Sequence, residues 1–274
     1  MTLVFAYAAT LDAAALEAAG RGASMRVHGH VGARFSFHAT ALLLDRALGF
    51  ERCSRAGGTP CLSVAPGHAV EGALFEANDE ALAALDARPH AAPREMVHAI
   101  LPDGRVVEAQ LHDLSPDSRG GHAPPTDDLD RAARNEPPTP AIPWIFVYGT
   151  LRAGLPNAHL LDGLPRQPAT CPGLLHDCGA YPAMTLGEGR VAGELLPLDP
   201  ARLSLLDALE EALPFGAPGG TYRRTVLTAA LPDGTPRRAQ LYVMDDVAAH
   251  PSIPSGNWQD AGDRRAAWLA RRTP

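Results

Sequence analysis

The chain has 274 residues, 46% of them hydrophobic, enough to bury one large or two small cores and to exclude disorder over most of the length. With 24 basic against 31 acidic residues, a net charge of −7 and no basic stripe, no nucleic-acid partner is expected, and no run nears the ~18 apolar residues of a membrane span. Every basic residue is Arg, so Schiff-base, pyridoxal and P-loop lysine chemistry are excluded.

The chain opens with Thr2-Leu-Val-Phe-Ala-Tyr7, which has no preceding basic region and meets Asp12 soon after. It does not read as a signal peptide, and a cytoplasmic location is expected. Val70-Glu-Gly-Ala-Leu74, Leu85-Asp86, Leu101-Pro-Asp-Gly104 and Ala109-Gln-Leu111 follow. These landmarks recur in the same order later in the chain. Val4-Phe-Ala-Tyr7 is echoed by Ile145-Phe-Val-Tyr148, and the others by Val191-Ala-Gly-Glu-Leu195, Leu206-Asp207, Leu231-Pro-Asp-Gly234 and Ala239-Gln-Leu241. A repeat this long means two domains, not a solenoid. The expected division is 1–114, a Pro-rich linker over 115–143, and 144–274. Seven prolines in the linker keep it out of helix and central strand, except over Thr126 to Asn135, which has the pattern of one short helix.

In the second copy, Trp144-Ile-Phe-Val-Tyr148 is a buried strand ended by Gly149. Val191–Leu196 and Thr225–Leu231 are further strands, and Leu231-Pro-Asp-Gly234 turns the chain into a last strand over Arg237–Met244. Between them Asp199 caps a helix with Pro200 in its first position and Leu203, Leu206 and Leu209 on one stripe. The expected class is α+β, each domain a small mixed barrel with flanking helices. Cys53, Cys61, Cys171 and Cys178 have no CxxC spacing and read as buried free thiols; His28-Gly-His30 reads as a turn with exposed imidazoles, so no metal is expected.

The most informative segment is Tyr148-Gly-Thr-Leu-Arg152 with Gly154 and Asn157. A strand that stops at a Gly turn exposes consecutive backbone N–H groups, a cradle for a carboxylate. The segment resembles the opening motif of the γ-glutamylcyclotransferase-like superfamily, its AIG2-like branch in particular. Tyr181-Pro-Ala183, Val191–Leu195, Leu206-Asp-Ala-Leu-Glu210, Tyr222-Arg-Arg224 and Pro254-Ser-Gly-Asn-Trp258 extend the resemblance in order over about 145–260. It implies a small barrel, a γ-glutamyl substrate, release of 5-oxoproline, and no cofactor. The family's catalytic acid falls on Glu210, while Glu211 replaces the Gly often found next, leaving open which carboxylate faces the pocket. Tyr148, Gly149, Thr150 and Leu151 would hold the substrate's α-carboxylate or the developing oxyanion through backbone N–H groups, and Tyr148 and Tyr222 could donate from their phenols. Arg152 and Arg224 are candidates to pair with substrate or with Glu210, and the latter would blunt a base.

One carboxylate is enough for this chemistry, because the α-amine and γ-carbonyl belong to one molecule and close a five-membered ring. Oriented intramolecular attack is worth on the order of 7–11 kcal/mol of barrier. The first copy resembles the superfamily more weakly: Ala8 and Ala9 replace the motif's Gly and Ser, and Pro89 stands where the acid would be. It reads as a degenerate domain, with an intramolecular pseudo-dimer of the two copies as one expected arrangement. The alternatives are a non-catalytic module that binds a small carboxylate, or the same fold turned to amide hydrolysis or biosynthetic deprotection. The leaving amine is not specified by the sequence, and the Pro/Gly-rich stretch Pro214–Gly220 reads as a loop that could serve as a lid.

Overall fold

The computed structural model describes residues 1–7, 24–25, 34–54, 57–87, 93–113, 142–212, 221–247 and 249–261. The expected linker helix, His28-Gly-His30, Ala8, Ala9, Pro89 and the stretch 214–220 lie outside them. The chain divides into two compact units, Met1–Pro102 with Val106–Ala141 and Asp103–Arg105 with Ile142–Pro274. Among the described residues no helix is long and apolar enough to cross a membrane.

The first unit contains β1 (Thr2–Tyr7), β2 (Ser24–Met25), β3 (Phe35–Ser54), β4 (Gly57–Ala77), α1 (Asp79–Asp86), β5 (Glu95–Ile100) and β6 (Val106–Leu111). The strands form one sheet in the order β2-β3-β4-β1-β6-β5, and β3 also pairs with β5 through Leu42↔Ile100 and Leu43↔Ala99. That last pairing joins the ends of β3-β4-β1-β6-β5 into a ring. Asn78 caps α1 by accepting from the Ala81 N–H at 3.0 Å.

The second unit contains β7 (Trp144–Val147), a 3₁₀ turn over Ala158–Leu161, β8 (Gln167–Asp177), β9 (Pro182–Pro197), α2 (Pro200–Leu209), β10 (Arg223–Ala230), β11 (Pro236–Val243) and a 3₁₀ turn at Trp258–Ala261. Its five strands close as the barrel β10-β11-β7-β9-β8. β7 is apolar at every position because both its faces are covered. Phe146 points with Tyr148 into the barrel core around Met184, Leu241 and Trp258, while Ile145 and Val147 pack outward against Leu206 of α2. The alternation along β7 therefore decides that Tyr148, one residue past the strand, ends on the inner side.

The architecture corrects the expected α+β class to one that is mostly β. Each unit holds one short helix among its described residues, and two long hairpins, β3/β4 and β8/β9, supply most of the residues in strands. The N-cap of α2 is as expected: Asp199 accepts from the Arg202 N–H at 2.9 Å and Pro200 occupies the first turn. Gly193 has a steric reason in the same place, since a Cβ there would collide with the Val147 carbonyl and the Phe146 ring. In the first unit a Cβ at Gly72 would strike the Ala6 carbonyl and the Phe5 ring in the same way.

Candidate functional site

The second unit carries a cavity of about 550 Å³ whose wall includes Tyr148, Gly149, Thr150, Leu151, Glu210 and Tyr222. All six residues singled out in the sequence thus share one space, although they come from the end of β7, the end of α2 and the entrance to β10.

The loop after β7 is a tight turn. The Arg152 N–H donates to the Gly149 carbonyl at 3.0 Å, and Asn157 closes the loop twice on Thr150, N–H to carbonyl at 2.9 Å and Nδ2 to Oγ1 at 3.1 Å. The N–H groups of Gly149, Thr150 and Leu151 donate to no acceptor among the described residues. Gly149 packs directly on Pro182, where a Cβ would come within 2.8 Å of the ring. Three free donors in the residues of a cavity wall can receive an anion.

Glu210 is the C-cap of α2. Its neighbour Glu211 has φ 49°, the left-handed conformation, and the helix closes in a Schellman arrangement: Glu211 N–H to Ala208 carbonyl at 3.4 Å, Ala212 N–H to Asp207 carbonyl at 2.9 Å. A left-handed residue explains why Gly is common at this place in the resemblance noted above. The turn separates the two acids. Glu211 is exposed and accepts from the Thr221 hydroxyl at 2.5 Å. Glu210 is half-buried, and its carboxyl has no hydrogen bond or ion pair among the described residues. Burial pushes it up to about 7.

The candidate arginines are engaged elsewhere. Arg224 is buried with its Nε 3.1 Å from Asp207 Oδ1 and its Nη1 donating to Gln240 at 2.6 Å. Arg152, also buried, donates to Asn257 Oδ1 at 2.8 Å. Arg166 joins Glu194 at 2.7 Å, and Glu194 also accepts from the Ala153 N–H at 3.1 Å.

Of the four phenols of the wall, Tyr181 stands edge-on to Tyr222, with ring centroids 6.3 Å apart, and the other three are anchored by hydrogen bonds. Tyr148 donates to the Tyr242 carbonyl at 2.7 Å, Tyr222 to the Pro182 carbonyl at 2.8 Å, and Tyr242 to Asp207 Oδ1 at 2.8 Å. Burial holds all three well above the ordinary phenol value, with the Glu210 charge adding to each. They are neutral donors, not bases. Tyr242 was missed from sequence; it directly follows the repeated Ala239-Gln-Leu241, and that position was the signal that could have found it. Of the thiols, Cys171 is buried and pushed up to about 12, and the partly exposed Cys178 to about 11, so neither is an active nucleophile.

The closed five-stranded barrel and its one described helix bring to one cavity wall an unpaired carboxyl, which can take a proton, and a run of N–H donors, which can receive an anion. The family model described as gamma-glutamyl cyclotransferase, AIG2-like, matches residues 145–260. A Vibrio cholerae relative is 36% identical over 121 residues, which is 42% of this chain and 93% of the relative. The gamma-glutamylcyclotransferase family protein YtfP of Escherichia coli K12 is 34% identical over 119 residues, 42% of this chain and 96% of YtfP. The crystal structure of YkqA from Bacillus subtilis covers 98% of this chain and 96% of its own at 16% identity, with a TM-score of 0.37. Through its second unit the chain belongs to the gamma-glutamyl cyclotransferase, AIG2-like family.

Proposed function

We propose that the second unit is a cyclotransferase acting on γ-glutamyl compounds, with Glu210 as the general base. The observation that carries this reading is the pairing, in one cavity, of an unpaired carboxyl near neutrality with the free N–H groups of Gly149, Thr150 and Leu151. The N–H groups hold the substrate's α-carboxylate or its developing oxyanion. Glu210 takes a proton from the α-ammonium, and the freed nitrogen attacks the γ-carbonyl carbon to close a five-membered ring. In the tetrahedral adduct Glu210 returns its proton to the leaving nitrogen, the bond from the γ-carbon to that nitrogen breaks, and the second proton of the attacking nitrogen passes through Glu210 to the departing amine. The products are 5-oxoproline and the amine in its ammonium form. A base with a value near 7 is matched to this shuttle, since it must both accept and release a proton near neutral pH.

The first unit is, on this reading, a degenerate copy. It has the corresponding strand order, the same glycine contact on a phenylalanine at Gly72, and an ion pair of Asp86 with Arg94 where the second unit has Asp207 with Arg224. In sequence, Pro89 stands where Glu210 would be, and it has no group to carry a proton.

Incubation of the full chain with γ-glutamyl amino acids and γ-glutamyl amines, followed by assay of 5-oxoproline, tests the activity. Product is expected, and Glu210→Gln should abolish it while leaving the chain folded. Stabilisation by 5-oxoproline or glutamate with no turnover of any substrate would replace this reading with that of a small-carboxylate binding module.

A further inference from the structure

Glu210 ends α2, and Asp207 lies one turn before it on the same helix. The Asp207 side chain accepts from Tyr242 and lies against the Arg224 guanidinium, while its main-chain carbonyl takes the Ala212 N–H that closes the helix. Arg224 is almost wholly buried. A permanent cation there, without the Asp207 carboxylate beside it, would favour the charged form of a neighbouring carboxyl and weaken its hold on a proton. One oxygen, Asp207 Oδ1, takes both the Tyr242 hydroxyl at 2.8 Å and the Arg224 Nε at 3.1 Å, and Tyr242 shares the cavity wall with Glu210.

We propose that Asp207 is the positioning residue for Glu210: it ties the last turn of α2 to β10 and β11 and neutralises the buried Arg224, so that the acid meets the substrate ammonium with no competing cation. The proposal rests on the reading of Glu210 as the base. The remaining titratable groups around Glu210 do not supply the same control. Tyr148, Tyr222 and Tyr242 stay neutral, the Cys178 thiol is held at about 11, and the Glu211 carboxylate is bound at the rim by Thr221.

The experiment is a pH–rate profile of kcat/KM on the full chain for Asp207→Asn, Arg224→Gln and the charge-neutral double variant, with a ¹³C NMR titration of the Glu210 carboxyl, identified by its absence in Glu210→Gln. In Asp207→Asn the acid limb and the Glu210 titration should both move down by about one pH unit, with a lower plateau rate. In Arg224→Gln both should move up, and the double variant should return close to the unsubstituted chain. Asp207→Glu, which keeps the charge, should restore the limb even where the plateau stays low. If Asp207→Asn does not fold, Arg224→Gln reads the same coupling from the other partner. Limbs and titrations that stay fixed in the folded single variants would overturn the proposal, leaving the node a structural strut. Full turnover in Glu210→Gln would instead overturn the assignment of the base, a separate result.

Discussion

Thr221 Oγ1 donates to Glu211 Oε2 at 2.5 Å, which holds the second of two adjacent acids on the rim while Glu210 keeps an unpartnered carboxyl at the cavity wall. The residue that divides them is itself strained, since Glu211 sits at φ 49°. A left-handed conformation costs a residue with a Cβ roughly 1–2 kcal/mol, part of which a glycine returns through its greater freedom when unfolded. Glu211→Gly should therefore raise the stability of the chain by roughly 0.5–1 kcal/mol in urea unfolding and leave most of the turnover intact. A variant that loses turnover while gaining stability would move the working carboxylate to Glu211.

The raised Glu210 carboxyl links the site to stability. Its ordinary value is 4.5 and its folded value about 7, so the folded chain binds this proton more tightly than the unfolded chain does. The contribution is fully present below pH ~4.5 and is lost as pH rises through about 7, where an unpaired charge must stand in the cavity wall. Glu210→Gln removes that burden. It should be more stable than the unsubstituted chain by roughly 2–3 kcal/mol at pH 8, with the difference shrinking below pH ~5. Thermal melts of both proteins from pH 4 to 9 measure this directly, and a pH-independent difference would mean that the carboxyl is not held near neutrality.

Gly149 is required by its neighbour, not by its own dihedral angles. A methyl group placed there would stand 2.8 and 2.9 Å from two carbons of the Pro182 ring, which cannot rotate away. Pro182 also holds Tyr222 through its carbonyl, so the displacement reaches a second wall of the cavity. Gly149→Ala should cost about 1–3 kcal/mol of stability and raise KM. Gly149→Ser should do at least as much harm, and an unchanged KM in both would separate this turn from substrate binding.

Much of the site was legible because it follows strong local rules. A continuous apolar run that stops at glycine could only be a buried strand entering a turn, and the Asp199-Pro200 start with a leucine stripe fixed α2 and hence the place of Glu210. The long hairpins were not legible. β8 contains Pro168, Pro172 and Gly173, residues that argue against a strand when read alone. The register shifts between Pro172 and Leu174, a bulge in which the barrel tolerates them. The partners of Arg152 and Arg224 were equally hidden, because Glu194, Gln240 and Asn257 come from distant parts of the chain and only closure of the barrel brings them together.

The loop that offers the free N–H groups is held by a charge cluster on its far side. Glu194 of β9 accepts from Arg166 at 2.7 Å and from the Ala153 N–H at 3.2 and 3.1 Å, and it stands 3.9 Å from Arg152 Nε. Arg166 in turn donates to the Leu151 carbonyl at 2.9 Å and the Ala158 carbonyl at 3.0 Å, so the carboxylate holds the loop both directly and through the guanidinium. Removing it leaves two largely buried cations with reduced compensation, at a cost of roughly 2–4 kcal/mol after allowance for partial solvent access. On the proposed reading, Glu194→Ala should also raise KM more than it lowers kcat, because the loop carrying the N–H groups loosens while Glu210, on a different element, stays in place. Glu194→Gln, which keeps the shape and loses the charge, should fall between the two proteins in denaturant midpoint. A Glu194→Ala chain that is destabilised yet binds substrate with unchanged KM would show that the cluster supports the barrel alone and that the N–H groups of Gly149, Thr150 and Leu151 hold their arrangement without it.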